Sequence, residues 1–218
     1  MHFLSHYYVD RQRNNPLFVL GALVPDIVPH FTKTYNAKIR NKDWNLPEDL
    51  QPLHEGVLRH YELDAAFHSS LVFKESCAFA SECMLREGLD REKYRFWFLG
   101  HIVTEVILDR QLIIENPGLV DEYYEMLNSV DTYKFGAYLN FIVSEDEKNK
   151  ILTNFIRFLE VKFLQYLKTT DGAAEGIVRT AHRATGVIFP DIDRRKLVAA
   201  LHNIEDGMRY RSKKLLDL

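Results

Sequence analysis

The sequence is poor in the residues that staple or punctuate a chain. Of 218 residues only Cys77 and Cys83 are cysteines, too few for a disulfide framework and without a C-x-x-C arrangement, so both read as core-filling rather than redox-active. Ten glycines and seven prolines supply too little punctuation for an all-β or a disordered chain. The longest apolar runs, such as the one between Pro16 and Pro29, fall far short of a membrane span. Charge of one sign is also scarce: 28 Lys and Arg against 31 Asp and Glu leave a formal charge of -3, which excludes a generally basic nucleic-acid binder. No basic-then-apolar leader follows Met1, so the expected compartment is the reducing cytoplasm, with neither membrane nor nucleic acid as partner.

What the chain does have is apolar material and helix signals. Hydrophobic residues make up 46% of it, enough for one core. Asn14-Asn15-Pro16 sets a capping amide before a first-turn proline, and Leu17 to Val24 is apolar on nearly every side, a short buried helix that Pro25-Asp26 interrupts. Residues 30–51 hold no period of 2 or 3.6 and read as a long loop or lid. Helical stretches follow from Pro52 to about Lys74 and from Cys77 to Glu87, with Gly88 as the stop. Asp90 is placed to cap a long helix carrying Phe96, Leu99, Ile102, Val103 and Val106, apolar enough to be the central one. Shorter helices are expected near 119–128 and 131–142, then one opened by the capping box Ser144-x-x-Glu147 and broken at Asp171-Gly172, then two more over 173–186 and 192–216. The predicted fold class is all-α, a single helical domain over 1–218 with no repeat or linker.

Nine histidines are many for this length, and some of them fall into register. His60, Asp64 and His68 stand at successive i, i+4 positions on one helix, and His101, Glu105 and Asp109 repeat the pattern on the central helix. Two such faces can hold a divalent cation between them, and mixed imidazole and carboxylate donors suit Mn, Fe, Zn or Co. Eight helical residues rise roughly 12 Å, so His60 and His68 do not share an ion, and neighbouring pairs are the units: His60 with Asp64 or Asp64 with His68, and His101 with Glu105 or Glu105 with Asp109. Glu105 and Asp109 sit among Ile102, Val103, Val106 and Leu108, where a bare carboxylate costs several kcal/mol and calls for a cation or a dedicated partner. A structural ion-pair network is the plain alternative to a metal. His6, in an apolar start, and Asp26, closing the buried helix, are further candidates, although one could bond to backbone and the other cap a turn. His2, His30, His54, His182 and His202 match no ladder and are assigned to the surface or an interface.

In order along the chain, Met1-His2-Phe3-Leu4-Ser5-His6, Gly21-x4-Asp26, Gly56-x3-His60-x3-Asp64 and Glu105-x3-Asp109 together resemble the acyl carrier protein phosphodiesterase family, over the N-terminal half to about residue 115. That family opens with M-x-F-L-x-H, continues with G-N-L-L-x-D and G-x3-H-R-x-I-D-x-F-T-D, and later carries a D-x3-D pair. The resemblance implies a helical relative of the HD-domain phosphohydrolases that hydrolyses, with a metal, the phosphodiester between phosphopantetheine and the serine of holo-acyl carrier protein. His6, Asp26, His60, Asp64 and Asp109 match the pattern, while Glu105 and His68 stand in for aspartates, Ala22 for asparagine and Tyr61 for arginine. A weaker similarity, to the helical zinc-dependent phospholipase C group, rests on the early G-x4-D after an N-terminal histidine.

The expected activity is therefore metal-assisted phosphodiester hydrolysis, on the carrier protein or on a small phosphodiester, nucleotide or phospholipid headgroup, with a non-catalytic helical binding protein as the other class. His6, Asp26, His60, Asp64, Glu105 and Asp109 are the expected metal ligands, with Mn as the first choice and Fe or Zn behind it. His101 or His68 is the expected general acid, and Arg59, Arg110 or the Lys33 to Lys42 loop would hold phosphate or an acidic partner.

Overall fold

The structure, a computed structural model, describes residues 1–30, 32 and 45–216. Helix α1 is Phe3–Asp10. Helix α2, Pro16–Ile27, opens as expected: the Asn15 side chain accepts from the backbone N–H of Leu17 and Phe18, and Pro16 takes the first turn, where its missing donor does no harm. Pro25 does not interrupt it. A proline so near the end removes one ladder bond only, and the helix continues to Ile27 with Phe18 to Pro25 buried. Of the loop expected over 30–51, residues 31 and 33–44 lie outside the described residues, and Glu48–Leu50 form a 3₁₀ turn.

Helix α3, Gln51–Ser69, and α4, Leu71–Arg86, divide at Ser70, whose hydroxyl accepts from Phe73 N–H. The central helix α5, Phe96–Glu115, starts one and a half turns later than Asp90 implied. Asp90 caps only a local turn, accepting from Glu92 and Lys93 N–H, and Arg95 then enters the left-handed region before the helix begins. Helices α6, Leu119–Asn128, and α7, Thr132–Leu139, follow. Helix α8, Glu145–Val161, carries the predicted capping box at Ser144 and Glu147. Helix α8 ends at Val161, well before the Asp171-Gly172 pair expected to break it, and helix α9, Thr170–Thr185, takes that pair into its first turn. Thr169 caps the helix by accepting from Gly172 N–H, and a Cβ at Gly172 would stand 1.9 Å from the Tyr166 carbonyl oxygen, so close packing, not a helix stop, selects that glycine. Helices α10, Asp191–Met208, and α11, Ser212–Leu216, complete the chain. No strand occurs among the described residues, so the protein is all-α.

The helices gather into two compact units, each discontinuous in sequence. One comprises residues 1–5, 65–119 and 164–218, where α5 packs against α4, α9 and α10 and is buried on nearly every side. Arg110, expected to be free for phosphate, belongs to this core: it donates to the Leu167 carbonyl at 2.7 Å and to Glu205 at 2.8 Å. Cys83 is buried and Cys77 partly so, and burial pushes both thiols up, which fits core filling. The other unit comprises 6–64 and 120–163 and brings together α2, the first part of α3, and α6 to α8. Here α2 and α3 touch through glycine. A Cβ at Gly21 would lie 1.9 Å from the Leu53 carbonyl oxygen and one at Gly56 2.1 Å from that of Phe18, so no larger residue permits this approach. Among the described residues no helix is long and apolar enough to cross a membrane.

Candidate metal centre

The close crossing of α2 and α3 places the carbonyl end of one helix against a histidine of the other. His60 Nδ1–H donates to the Ala22 carbonyl at 2.7 Å, which fixes the ring and turns Nε2 toward two carboxylates, 3.5 Å from Asp64 Oδ2 and 3.9 Å from Asp26 Oδ1. A backbone carbonyl on the far nitrogen is how metal-ligating imidazoles are commonly oriented. His6, from α1, stacks on His60 with ring centroids 3.9 Å apart, and its Nε2 stands 3.2 Å from Asp64 Oδ1. One donor atom each from His6, Asp26 and His60 lies within 4.8 Å of the others. Four donors held by bonds of about 2.0–2.1 Å in a tetrahedron stand about 3.3 Å apart, so small adjustments bring this set onto one ion.

The electrostatics favour a cation. His6 and His60 are buried, whereas Asp26 and Asp64 are half-buried at the mouth. Burial, and then the neighbouring His60, depress His6 to about 3, so its ring is neutral at ordinary pH. Neither ring nitrogen of His6 has a hydrogen-bond partner among the described residues; the approach to Asp64 is close but misaligned. A buried imidazole left so is costly, and a metal would use its lone pair. Burial also opposes a charge on His60, but Asp26, Asp64 and the Ala22 carbonyl outweigh it and raise the group. Burial acts to raise Asp64 as well, and the close approach of the His6 and His60 rings overcomes it, holding the carboxyl far below its usual range.

No family model, curated protein or solved structure matches this chain. The remaining candidates are placed by geometry alone. His68 Nε2 and His101 Nε2 both lie within hydrogen-bond distance of Glu105 Oε1, at 2.9 and 3.1 Å, and these three form a donor cluster. His68 and His101, expected as general acids, are gathered around Glu105.

Asp109, expected as a ligand, is saturated. Its Oδ1 accepts from Ser5 N–H at 2.8 Å and Ser5 Oγ–H at 2.7 Å, and its Oδ2 accepts from Leu4 N–H at 3.0 Å and His2 Nδ1 at 2.7 Å. The dedicated partner that a buried carboxylate requires is here the start of α1 and not a cation. His2 is therefore tied into the fold, and His54, assigned from sequence to the surface or an interface, is buried and shares a 2.9 Å hydrogen bond with Tyr138. Arg59 is taken up by Asp10 at 2.8 Å and Glu62 at 2.9 Å. Lys33 to Lys42 lie outside the described residues. The contributions that sequence reading missed are the Ala22 carbonyl and the His2 and Ser5 clamp. A backbone acceptor leaves no side-chain signal, and His2 is spaced like no ladder.

Proposed function

We propose that the protein is a metal-dependent phosphodiester hydrolase whose centre is built by His6, Asp26, His60 and Asp64. The observation that carries this reading is the buried imidazole pair with its two carboxylates: one nitrogen anchored on Ala22, the other donors convergent, and His6 without a hydrogen bond. A divalent cation held there supplies a Lewis acid for phosphoryl oxygens and a water acidified toward neutral pH. The residues do the rest. The Ala22 carbonyl keeps His60 Nε2 facing Asp26 and Asp64, the stacked His6 ring covers one face of the His60 ring, and Asp64 remains ionised across the working pH range. Mn is the first expectation for the metal, followed by Fe and Zn, since imidazole with carboxylate suits all three.

The motif resemblance of His6, Gly21-x4-Asp26 and Gly56-x3-His60-x3-Asp64 supplies the substrate: the phosphodiester joining phosphopantetheine to the serine of an acyl carrier protein. Chelator-stripped protein reloaded with Mn, Fe or Zn should recover hydrolysis of bis-p-nitrophenyl phosphate and convert holo- to apo-carrier protein, and Asp64→Ala should lose both together with the bound metal. Absence of tight metal binding, with stability unchanged in Asp64→Ala, would overturn the enzyme reading. Cleavage of the small diester without conversion of the carrier protein would keep the chemistry and reject that substrate.

A further inference from the structure

The cluster at Glu105 crowds three nitrogens onto one carboxylate oxygen. Three nitrogens converge on Oε1: His68 Nε2 at 2.9 Å, the Met1 amino nitrogen at 3.0 Å and His101 Nε2 at 3.1 Å. His68 Nε2 also stands 3.3 Å from the Met1 nitrogen, so a single ring nitrogen is asked to donate to a carboxylate and accept from an amine. The imidazoles are nonetheless firmly set. Phe73 packs edge-on against both rings with centroids 5.0 Å away, and the rings lie 4.7 Å from each other. Glu105 is largely buried, while the His68 and His101 side chains are 31% and 38% exposed, so one side of the cluster meets solvent.

From this geometry we infer that His68, His101 and Glu105 form a second divalent transition-metal site, of the zinc type, which a cation enters as the Met1 ammonium yields its proton to solvent or moves aside, leaving the fourth position to the neutral amine or to water. Two imidazoles and one carboxylate with an open position are a donor set of catalytic zinc centres, and a borderline-soft cation matches it better than Ca or Mg does. The donor atoms lie within 4.8 Å of one another, and the 2.9 and 3.1 Å nitrogen–oxygen separations need to widen only to about 3.3 Å to surround an ion. A cation at that point would use the lone pairs of both Nε2 atoms and of Oε1 together, which removes the conflict at His68. The ligands come from the end of α3 and from α5, and none is shared with the His6 centre. The assignment goes beyond the hydrolase reading and does not depend on it.

The test is zinc stoichiometry and affinity for the full chain, measured against a competing chromophoric chelator, with cobalt substitution to report the ligand field. Wild type should bind two equivalents, Asp64→Ala one and His101→Gln one, the last two of different coordination spectra, with the affinity of the Glu105 site falling more than about 100-fold on loss of a ligand. His68→Gln, also partly exposed, should repeat the His101→Gln result, and circular dichroism verifies that both variants fold. If His101→Gln and His68→Gln both bind zinc as wild type does, the Met1 amino group alone neutralises Glu105 and the inference is overturned. One equivalent in wild type, lost in His101→Gln but kept in Asp64→Ala, would uphold this site while removing the support for the His6 centre.

Discussion

Two histidine and carboxylate clusters, built from the same residue types at the same i, i+4 spacing, end in opposite states. Around His60 the ring is fixed from behind by a main-chain carbonyl, and the nitrogen facing the carboxylates comes no nearer than 3.5 Å. Around Glu105 both imidazoles direct Nε2 to one oxygen within hydrogen-bond distance, and an amino group joins them. The first is deep and short of hydrogen bonds at His6; the second is half-open and crowded with donors. Spacing along a helix therefore nominates donors, whereas the atom behind each ring decides what the donor in front is free to do.

The largest effect that sharpens this contrast is on activity. Asp64→Ala should abolish bis-p-nitrophenyl phosphate hydrolysis by at least about a thousandfold, as loss of a group needed in the transition state does, and an equal loss in Glu105→Gln would erase the distinction between the clusters. Next comes Asp109, whose acceptor role is structural. Asp109→Ala strands the donors of Leu4, Ser5 and His2 and should cost about 3–5 kcal/mol in urea unfolding, without altering metal content at the His6 centre. A cost within about 0.5 kcal/mol would mean the clamp is not built as described.

Gly56→Ala should follow, at about 1–3 kcal/mol with a loss of metal affinity, because the new methyl would force α2 from α3 and draw Ala22 away from His60. Unchanged affinity in a stable Gly56→Ala protein would show that the crossing does not position the site. The smallest effect is a pH dependence in metal-free protein. His6 is held at about 3 when folded and titrates near 6.5 when unfolded, so between these values only the unfolded state takes up the proton. Stability from this group is whole above 6.5 and is lost as the pH falls toward 3. His60, raised when folded, acts in the opposite sense: its contribution is whole below 6.5 and is lost as the pH rises through its folded value. The destabilisation caused by His6→Gln should therefore shrink by about 1–2 kcal/mol between pH 7 and pH 5. Parallel stability curves for wild type and variant would contradict the buried, neutral assignment.

Much of the helical layout was legible because local signals agree with it. The Asn15-Pro16 start, the Ser144 and Glu147 capping box and the apolar surround of α5 each act within a few residues. The misses occurred where tertiary packing changed the meaning of a local signal. Gly172 looked like a stop and is a point of close packing on Tyr166; Asp90 looked like the cap of α5 and closes only a turn. At the candidate site, His60 and Asp64 could be paired from helix geometry, and His6 and Asp26 from motif order. That Asp109 would be consumed by Leu4 and Ser5 could not be read, since those donors are backbone groups more than a hundred residues away in sequence.

By itself the sequence determined the class, all helical with scarce glycine, proline and cysteine, and it determined which side chains share a helix face, because a 3.6-residue repeat is a property of the backbone. Only the tertiary structure decided which faces meet. It brought His6 onto His60, left His68 and His101 to Glu105, and closed Asp109 with the start of α1, because contacts between segments distant in sequence depend on packing and close backbone approach, which no local period encodes.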